Sequence, residues 1–397
     1  MGIAATDSQS LPNEKDQVPN LDPLKSKKVQ GRRTNWSQIV PVLTLILVII
    51  AFSFASEAFL TQRNLTNLSR QVSVNCILAF GMTMIILLGA IDLSIGSLLA
   101  LGSVTAGLLQ VNMHLNQWGV SGAVLTLLAV AAVCGTVGAF NGGLVSRFKM
   151  PSFVVTLGMF VIARGLALIL SGGSKISPLS DDYRWVGTSF VSKNVSSILI
   201  VLATIGLGAY FALTQKSPKR WWQLGTTLAV GGVCYWIFSG YHGIPLPVLL
   251  MACVFGIVYF ALNRTTFGRS LYAIGGNPEA ARLCGLRVPF FFFAAFVIMG
   301  ILVGLAALIE GGRIDAGDPT AGNLYELDAI AAVVIGGTSL NGGVGTVGGT
   351  LLGSFLMGTL NNGMSLMNIQ TNLQMVIKGL IIISAVLMDV LSKKTSK

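Results

Sequence analysis

Apolar runs long enough to cross a bilayer, or nearly so, recur from one end of this chain to the other. They are Ile39 to Leu60, Val72 to Ala90, Ile95 to Val111, Val120 to Phe140, Pro151 to Ser171, Val195 to Thr214, Leu224 to Phe238, Pro245 to Leu262, Phe290 to Ile309, Leu327 to Ile335, Val344 to Leu360 and Leu373 to Leu391. A hydrocarbon core about 30 Å thick is spanned by about 20 residues of helix, and only helices and closed barrels satisfy their own backbone within it. The pattern therefore predicts an all-α, polytopic membrane helix bundle of about 10–12 transmembrane segments. Charged residues make up only 10% of the 397 residues against 53% hydrophobic, which excludes an ordinary soluble domain.

A net charge of +11 would suit a nucleic-acid binder, but its distribution argues for a membrane. Lys27, Lys28, Arg32 and Arg33 precede the first run. Arg147, Lys149, Lys216, Lys219, Arg220, Arg264, Arg269, Arg282, Arg287, Lys393 and Lys394 fall on the same side if each run crosses once. This is the positive-inside bias, and it puts both termini in the cytoplasm. Membrane lipid is then the surrounding medium and no nucleic-acid partner is expected. Residues 1–36 read as a polar, disordered cytoplasmic tail, and 37–397 as the transmembrane domain. Cys76, Cys134, Cys234, Cys253 and Cys284 show no CxxC spacing and predict neither disulfide nor metal site.

Two short motifs recur in the same order. Gly89-Ala90-Ile91-Asp92-Leu93-Ser94-Ile95-Gly96 overlays Gly336-Gly337-Thr338-Ser339-Leu340-Asn341-Gly342-Gly343, and Gly138-Ala139-Phe140-Asn141-Gly142-Gly143 overlays Gly358-Thr359-Leu360-Asn361-Asn362-Gly363. They mark a candidate internal two-fold repeat of the kind transporters carry, each first motif breaking a helix where backbone must be buried or line a cavity. Asp92 is the sharpest residue here, since a carboxylate at membrane depth is costly; either it serves the transport path or it sits near an interface and caps the following helix. Arg164 and Lys378 lie within runs, where the simplest expectation is that they snorkel to an interface. Gly300/Gly304 and Gly349/Gly353 provide close helix packing, chiefly within one chain. His114 and His242 are expected in water at helix ends. Arg313, Asp315, Asp318, Glu326 and Asp328, in and beside the stretch Gly311 to Tyr325, stand on the outer side, either as a docking surface or as solvated charge.

The polar stretch Arg264 to Pro289 contains a complete short helix. Asn277 can cap it, Pro278 suits its first position, Glu279 complements its dipole, Arg282 lies in its last turn, and Gly285 can end it. No phosphate-cradling G-x-x-x-x-G-K-[ST] occurs, no H-E-x-x-H is present, and Gly337-Thr338-Ser339-Leu340-Asn341 misses G-x-S-x-G at its last position. Catalytic residues are therefore not expected. A transporter driven by an ion gradient without an ATPase, or a scaffold that merely recruits a soluble enzyme, remains an alternative; a docking helix on the inner loop favours a protein driven by an external engine.

Glu279-Ala280-Ala281 followed by Gly285 resembles the EAA loop of ABC-importer permease subunits. Gly268 to Arg282, Gly89 to Ser97, Asn141-Gly142 with Pro151 to Gly158, and Glu326 to Ala332 running to Gly345 are similar to the ribose/xylose-type sugar branch. The stretch Gln215 to Pro245 is most like the D-xylose importer permeases within it. The likeness covers Leu65 to Leu391. It implies a permease domain with a cytoplasmic coupling loop at 264–288, an ATPase contact made by Asn277, Pro278, Glu279, Ala280, Ala281, Arg282 and Gly285, and alternating access. Asp92, Ser94, Asn141, Asn341 and Asn361 are candidates for lining the translocation pathway. The implied partners are a cytoplasmic ABC ATPase with two nucleotide-binding domains, an extracytoplasmic sugar-binding protein and a second copy of this chain, in a bacterial inner membrane. ATP and Mg would be used by the ATPase, with no cofactor in this chain.

Overall fold

The computed structural model describes Gly2, residues 36–214 and residues 219–394. The expectation of a disordered tail therefore falls almost wholly outside the described residues, as do residues 215–218 of the Gln215 to Pro245 stretch. The elements are α1 (Trp36–Ala55), α2 (Gln62–Leu87), α3 (Ile95–Gly107), α4 (Val120–Arg147), α5 (Ser152–Ser171), α6 (Asp181–Thr188), α7 (Lys193–Thr214), α8 (Lys219–Ser239), α9 (Leu246–Arg264), α10 (Thr266–Gly276), α11 (Pro278–Leu283), α12 (Val288–Ile314), α13 (Tyr325–Ile335), α14 (Val347–Leu366) and α15 (Thr371–Lys394). A π-helical turn, Leu108–Asn112, extends α3. No strand forms among the described residues; Ile176 with Gly317 and Phe190 with Pro245 make isolated bridges.

Among these residues, seven helices are long and apolar enough to cross a membrane on their own: α2, α3 with its π turn, α4, α5, α7, α9 and α12. Pro41–Ala55 and Thr371–Ser384 are shorter apolar helices, and two other expected segments depart from a uniform apolar rod for a physical reason. α13 has only 11 residues, and α14 carries glycine, threonine, serine and asparagine on faces that are buried in protein rather than lipid. Burial also ranks the long helices. The apolar window of α2 is 89% buried whereas that of α7 is 6% buried, so α2 is central and α7 peripheral. α2 can accordingly keep Ser73, Asn75 and Thr83 in the interior, with the Ser73 and Thr83 hydroxyls donating to carbonyls one turn back.

Close backbone approach sets the packing. The Gly300 Cα faces the Cys134 carbonyl oxygen and Gly304 faces Ala131, so α12 lies directly along α4, where Gly138 and Gly142 receive Phe296 and Phe293. Gly353 lies against the Ala332 carbonyl and Gly349 against that of Gly336, joining α14 to α13. Both small-residue pairs thus pack within the chain, as expected. Two polar ties join α2 to α14. Thr83 Oγ1 and Thr350 Oγ1 are 2.8 Å apart, and the Asn64 and Asn362 amides exchange reciprocal hydrogen bonds of 3.0 Å.

Gly300→Ala would drive a methyl group into immobile backbone, so it is expected to destabilise the protein by about 1–3 kcal/mol. Gly143→Ala, where the new methyl meets nothing within 4 Å, should be neutral. Thermal unfolding of the two variants in detergent checks the contrast.

Candidate functional site

The helix read from the sequence between Asn277 and Gly285 forms as expected. Asn277 takes an extended conformation and its Oδ1 accepts the Ala280 N–H at 3.0 Å, Pro278 occupies the first turn, and Cys284 is the C-cap. Gly285 follows at φ +84°, a left-handed conformation that glycine adopts without a Cβ penalty. Ala281 is buried and anchors α11, while Glu279 and Arg282 are exposed and pair with each other at 3.3 Å. Such an exposed pair contributes at most about 1 kcal/mol, so both side chains can exchange this contact for another at little cost. Leu283 is 82% exposed, an apolar side chain at the tip of a polar loop that the sequence reading did not single out.

The first pathway group also assembles. After α2 ends, Asp92 is buried and its Oδ1 accepts from Ser94 N at 2.9 Å and Ser94 Oγ at 2.6 Å. Asn141 Nδ2 reaches across from α4 to Ser94 Oγ at 3.2 Å. The backbone of the break is held by α5, with Ile91 N donating to Ser152 Oγ and Thr156 Oγ1 donating to Ile91 O, each at 3.3 Å. The capping explanation for Asp92 is corrected here: its carboxylate closes a turn on Ser94, and Ser94, the N-cap of α3, makes no side-chain cap bond. Asn141 and Asn361 lie inside α4 and α14, so they are not caps either.

The second copies are dispersed. Asn361 Nδ2 donates to Asp328 Oδ2 at 3.0 Å, near the start of α13, while Asn341 is exposed in the loop that follows α13. The repeat aligns Asn341 with Ser94, but the structure does not bring Asn341 to Asn361. The reason lies in residues 315–324. After α12 this segment turns back alongside α3, with Gly317 against Gly107, Asp318 N donating to Ser103 Oγ at 3.1 Å, and Gly322 against Gly96. α13 therefore begins deep in the bundle and is short.

That return segment also overturns two expectations about charge. Arg164 does not snorkel; its Nη1 donates to the carbonyls of Pro319 at 2.7 Å and Ala321 at 3.0 Å. Lys378 does not snorkel either, because its Nζ lies 3.0 Å from Asp328 Oδ2, and Asp328 is 1% exposed. Most of the acidic residues are likewise turned inward rather than offered to the outside, Asp315 being half-buried. Glu326 and Asp318 are buried, Asp318 pairs with Lys175 at 3.0 Å, and Asp315 lies 3.4 Å from Arg184. Arg313 pairs with Glu310 of its own helix at 2.7 Å. Asp318 Oδ1 also accepts from Thr320 N at 2.8 Å and Thr320 Oγ1 at 2.7 Å. His114 and His242 are exposed, as expected.

Chemically, these groups offer polar recognition inside a helical bundle. Asn141 Oδ1, Glu326 Oε2, Asp328 Oδ1 and Asn361 Oδ1 are buried acceptors with no hydrogen-bond partner among the described residues, suited to hydroxyl donors. No group of three or more His, Cys, Asp or Glu among the described residues is arranged to hold a metal ion. Asp328→Ala should cost about 3–5 kcal/mol by leaving the Lys378 ammonium buried without its counterion, and the double variant Asp328→Asn/Lys378→Met should recover much of that loss. A double-mutant cycle on thermal unfolding measures both.

Residues 64–386 match the family described as branched-chain amino acid transport system / permease component. The chain is 37% identical over 377 residues to the xylose transport system permease protein of Escherichia coli K12, with 91% of this chain and 94% of that one covered. It is also 37% identical over 372 residues to the protein of the same description from Haemophilus influenzae, covering 90% and 97%. A third relative, the ribose import permease protein of Bacillus subtilis, is 37% identical over 352 residues, covering 88% and 91%. No solved structure gives a significant match. The matched region takes in both broken helices, the exposed helix between them and the buried polar groups, and the chain belongs to this permease family.

Proposed function

We propose that this chain is the membrane-spanning subunit of an ATP-driven sugar importer, most plainly for D-xylose, that moves its sugar by alternating access. The observation that carries the reading is α11, a capped, exposed helix between two membrane helices, whose polar side chains are free to re-pair and whose Leu283 projects outward. A cytoplasmic ATPase with two nucleotide-binding domains would bind Asn277 to Arg282, with Gly285 giving the turn that sets the helix on α12. ATP and Mg belong to that partner. Likeness to xylose and ribose permeases over about nine tenths of each chain supports a monosaccharide as cargo.

Two copies of the chain would enclose the path, in a bacterial inner membrane with both termini in the cytoplasm, and an extracytoplasmic binding protein would deliver the sugar. The basic residues Arg147, Lys149, Arg264, Arg269, Arg282 and Arg287, near the ends of α4, α9 and α11, support that orientation. Asp92, Ser94, Asn141 and Asn361 would shape the path. Asn341, exposed beside the coupling loop, would act at its cytoplasmic mouth. Hydroxyl-rich cargo suits buried amide and carboxylate acceptors, because each sugar hydroxyl donates one hydrogen bond.

Co-purification with the ATPase and binding protein, followed by labelled xylose uptake into proteoliposomes, tests the reading. ATP-dependent uptake that vanishes without the ATPase is expected; uptake driven by a proton or sodium gradient alone would overturn it. Gly285→Val places a β-branched residue at φ +84° and should leave the protein inserted while ATP hydrolysis no longer drives uptake. Normal transport by that variant would count against the coupling role.

A further inference from the structure

The two helix breaks meet each other and the last turn of α10, just ahead of α11. Gly343 N donates to Leu87 O at 2.9 Å, so the end of α2 is hydrogen-bonded to the loop between α13 and α14. Gly89, Gly342 and Gly343 all have left-handed φ, at +75°, +86° and +72°. Their lack of side chains lets the strands of backbone touch. A Cβ on Gly342 would meet Gly89 N at 2.9 Å and both Gly275 O and Leu87 O at 3.0 Å. A Cβ on Gly275 would run into Leu87 O and Gly343 N at once. One turn back on α10, Tyr272 Oη donates to Gly345 O at 2.9 Å.

From this contact we propose that Gly275, Leu87, Gly89, Gly342 and Gly343 form a backbone joint that hands displacement of the coupling helix to both broken helices together. The inference rests on reading α11 as the ATPase dock. Backbone contacts have no rotamers to absorb a shift, so a push on α10 and α11 reaches α2 and the α13–α14 loop as one movement. Packed elements move in this way as rigid bodies rather than by continuous deformation. Gly275 is thus a positioning residue for transport. It need touch neither sugar nor nucleotide.

Neighbouring glycines give the test. Gly275→Ala inserts a methyl into the joint, while Gly276→Ala, at a position where a Cβ meets nothing within 4 Å, does not. In the assembled transporter, Gly275→Ala is expected to retain the ATPase and its hydrolysis but to lower xylose uptake per ATP about tenfold, a typical size for a coupling defect. Gly276→Ala should transport normally. A second measurement needs no change in the joint. Spin labels at Ala273→Cys and Val344→Cys, with exposed Cys253 and Cys284 changed to Ser, should keep one separation in nucleotide-free and vanadate-trapped transporter. Normal coupling in Gly275→Ala, or a resolvable change in that separation, would overturn the joint. Failure of the unmodified permease to retain the ATPase would instead overturn the docking reading on which the joint rests.

Discussion

Hydrocarbon leaves no water for a backbone amide or carbonyl, so a helix can be interrupted in a membrane only where protein supplies the missing partners. At both interruptions here the backbone groups are bonded mostly within their own segment, and one bond, Gly343 N to Leu87 O, joins the two. The carbonyl at the end of α2 accepts a hydrogen bond from Gly343, and in the break after α2 Ile91 N donates to Ser152 while its carbonyl accepts from Thr156. Much of the remaining architecture answers the same demand. α2 is central because its broken end must be enclosed, α14 is rich in small residues because α13 lies against its backbone, and residues 315–324 fold back beside α3 to cover the start of the short helix.

The same physics governs the charges. Deep in the bundle a single ion is costly, and the chain meets that cost by pairing Lys378 with Asp328 and by turning the Arg164 guanidinium onto two carbonyls. At the exposed loop, water removes the constraint, and Glu279 with Arg282 forms only a loose pair. Strongly fixed charge therefore lies where packing is tight, and exchangeable charge lies where a partner could reach it.

Local features were legible in the sequence. The cap at Asn277, the glycine ending α11, the small-residue pairs and the long apolar helices all depend on neighbours in the chain or on periodicity. What failed depended on one long-range event, the return of residues 315–324 into the bundle. A polar stretch after an apolar run reads as a loop facing water, and nothing in Gly317-Asp318-Pro319-Thr320 betrays that its carbonyls will receive Arg164. For the same reason the spacing of Lys378 within an apolar run suggested an escape to the interface, because Asp328, its partner, lies 50 residues away in the chain. The Asn361 contact was half visible: the repeat marked the residue, but its partner Asp328 lies 33 residues away in the chain.

The two polar ties between α2 and α14 have a mechanical meaning. Thr83 with Thr350 and Asn64 with Asn362 stand 19 residues apart on α2, or about 28 Å at the rise of an α-helix. Two helices bolted at points so far apart behave as a single beam: it can tilt or translate, but one helix cannot slide past the other without breaking both bolts. Shear between these helices is thereby opposed at both ends at once, so the pair is suited to move as one body when the bundle opens.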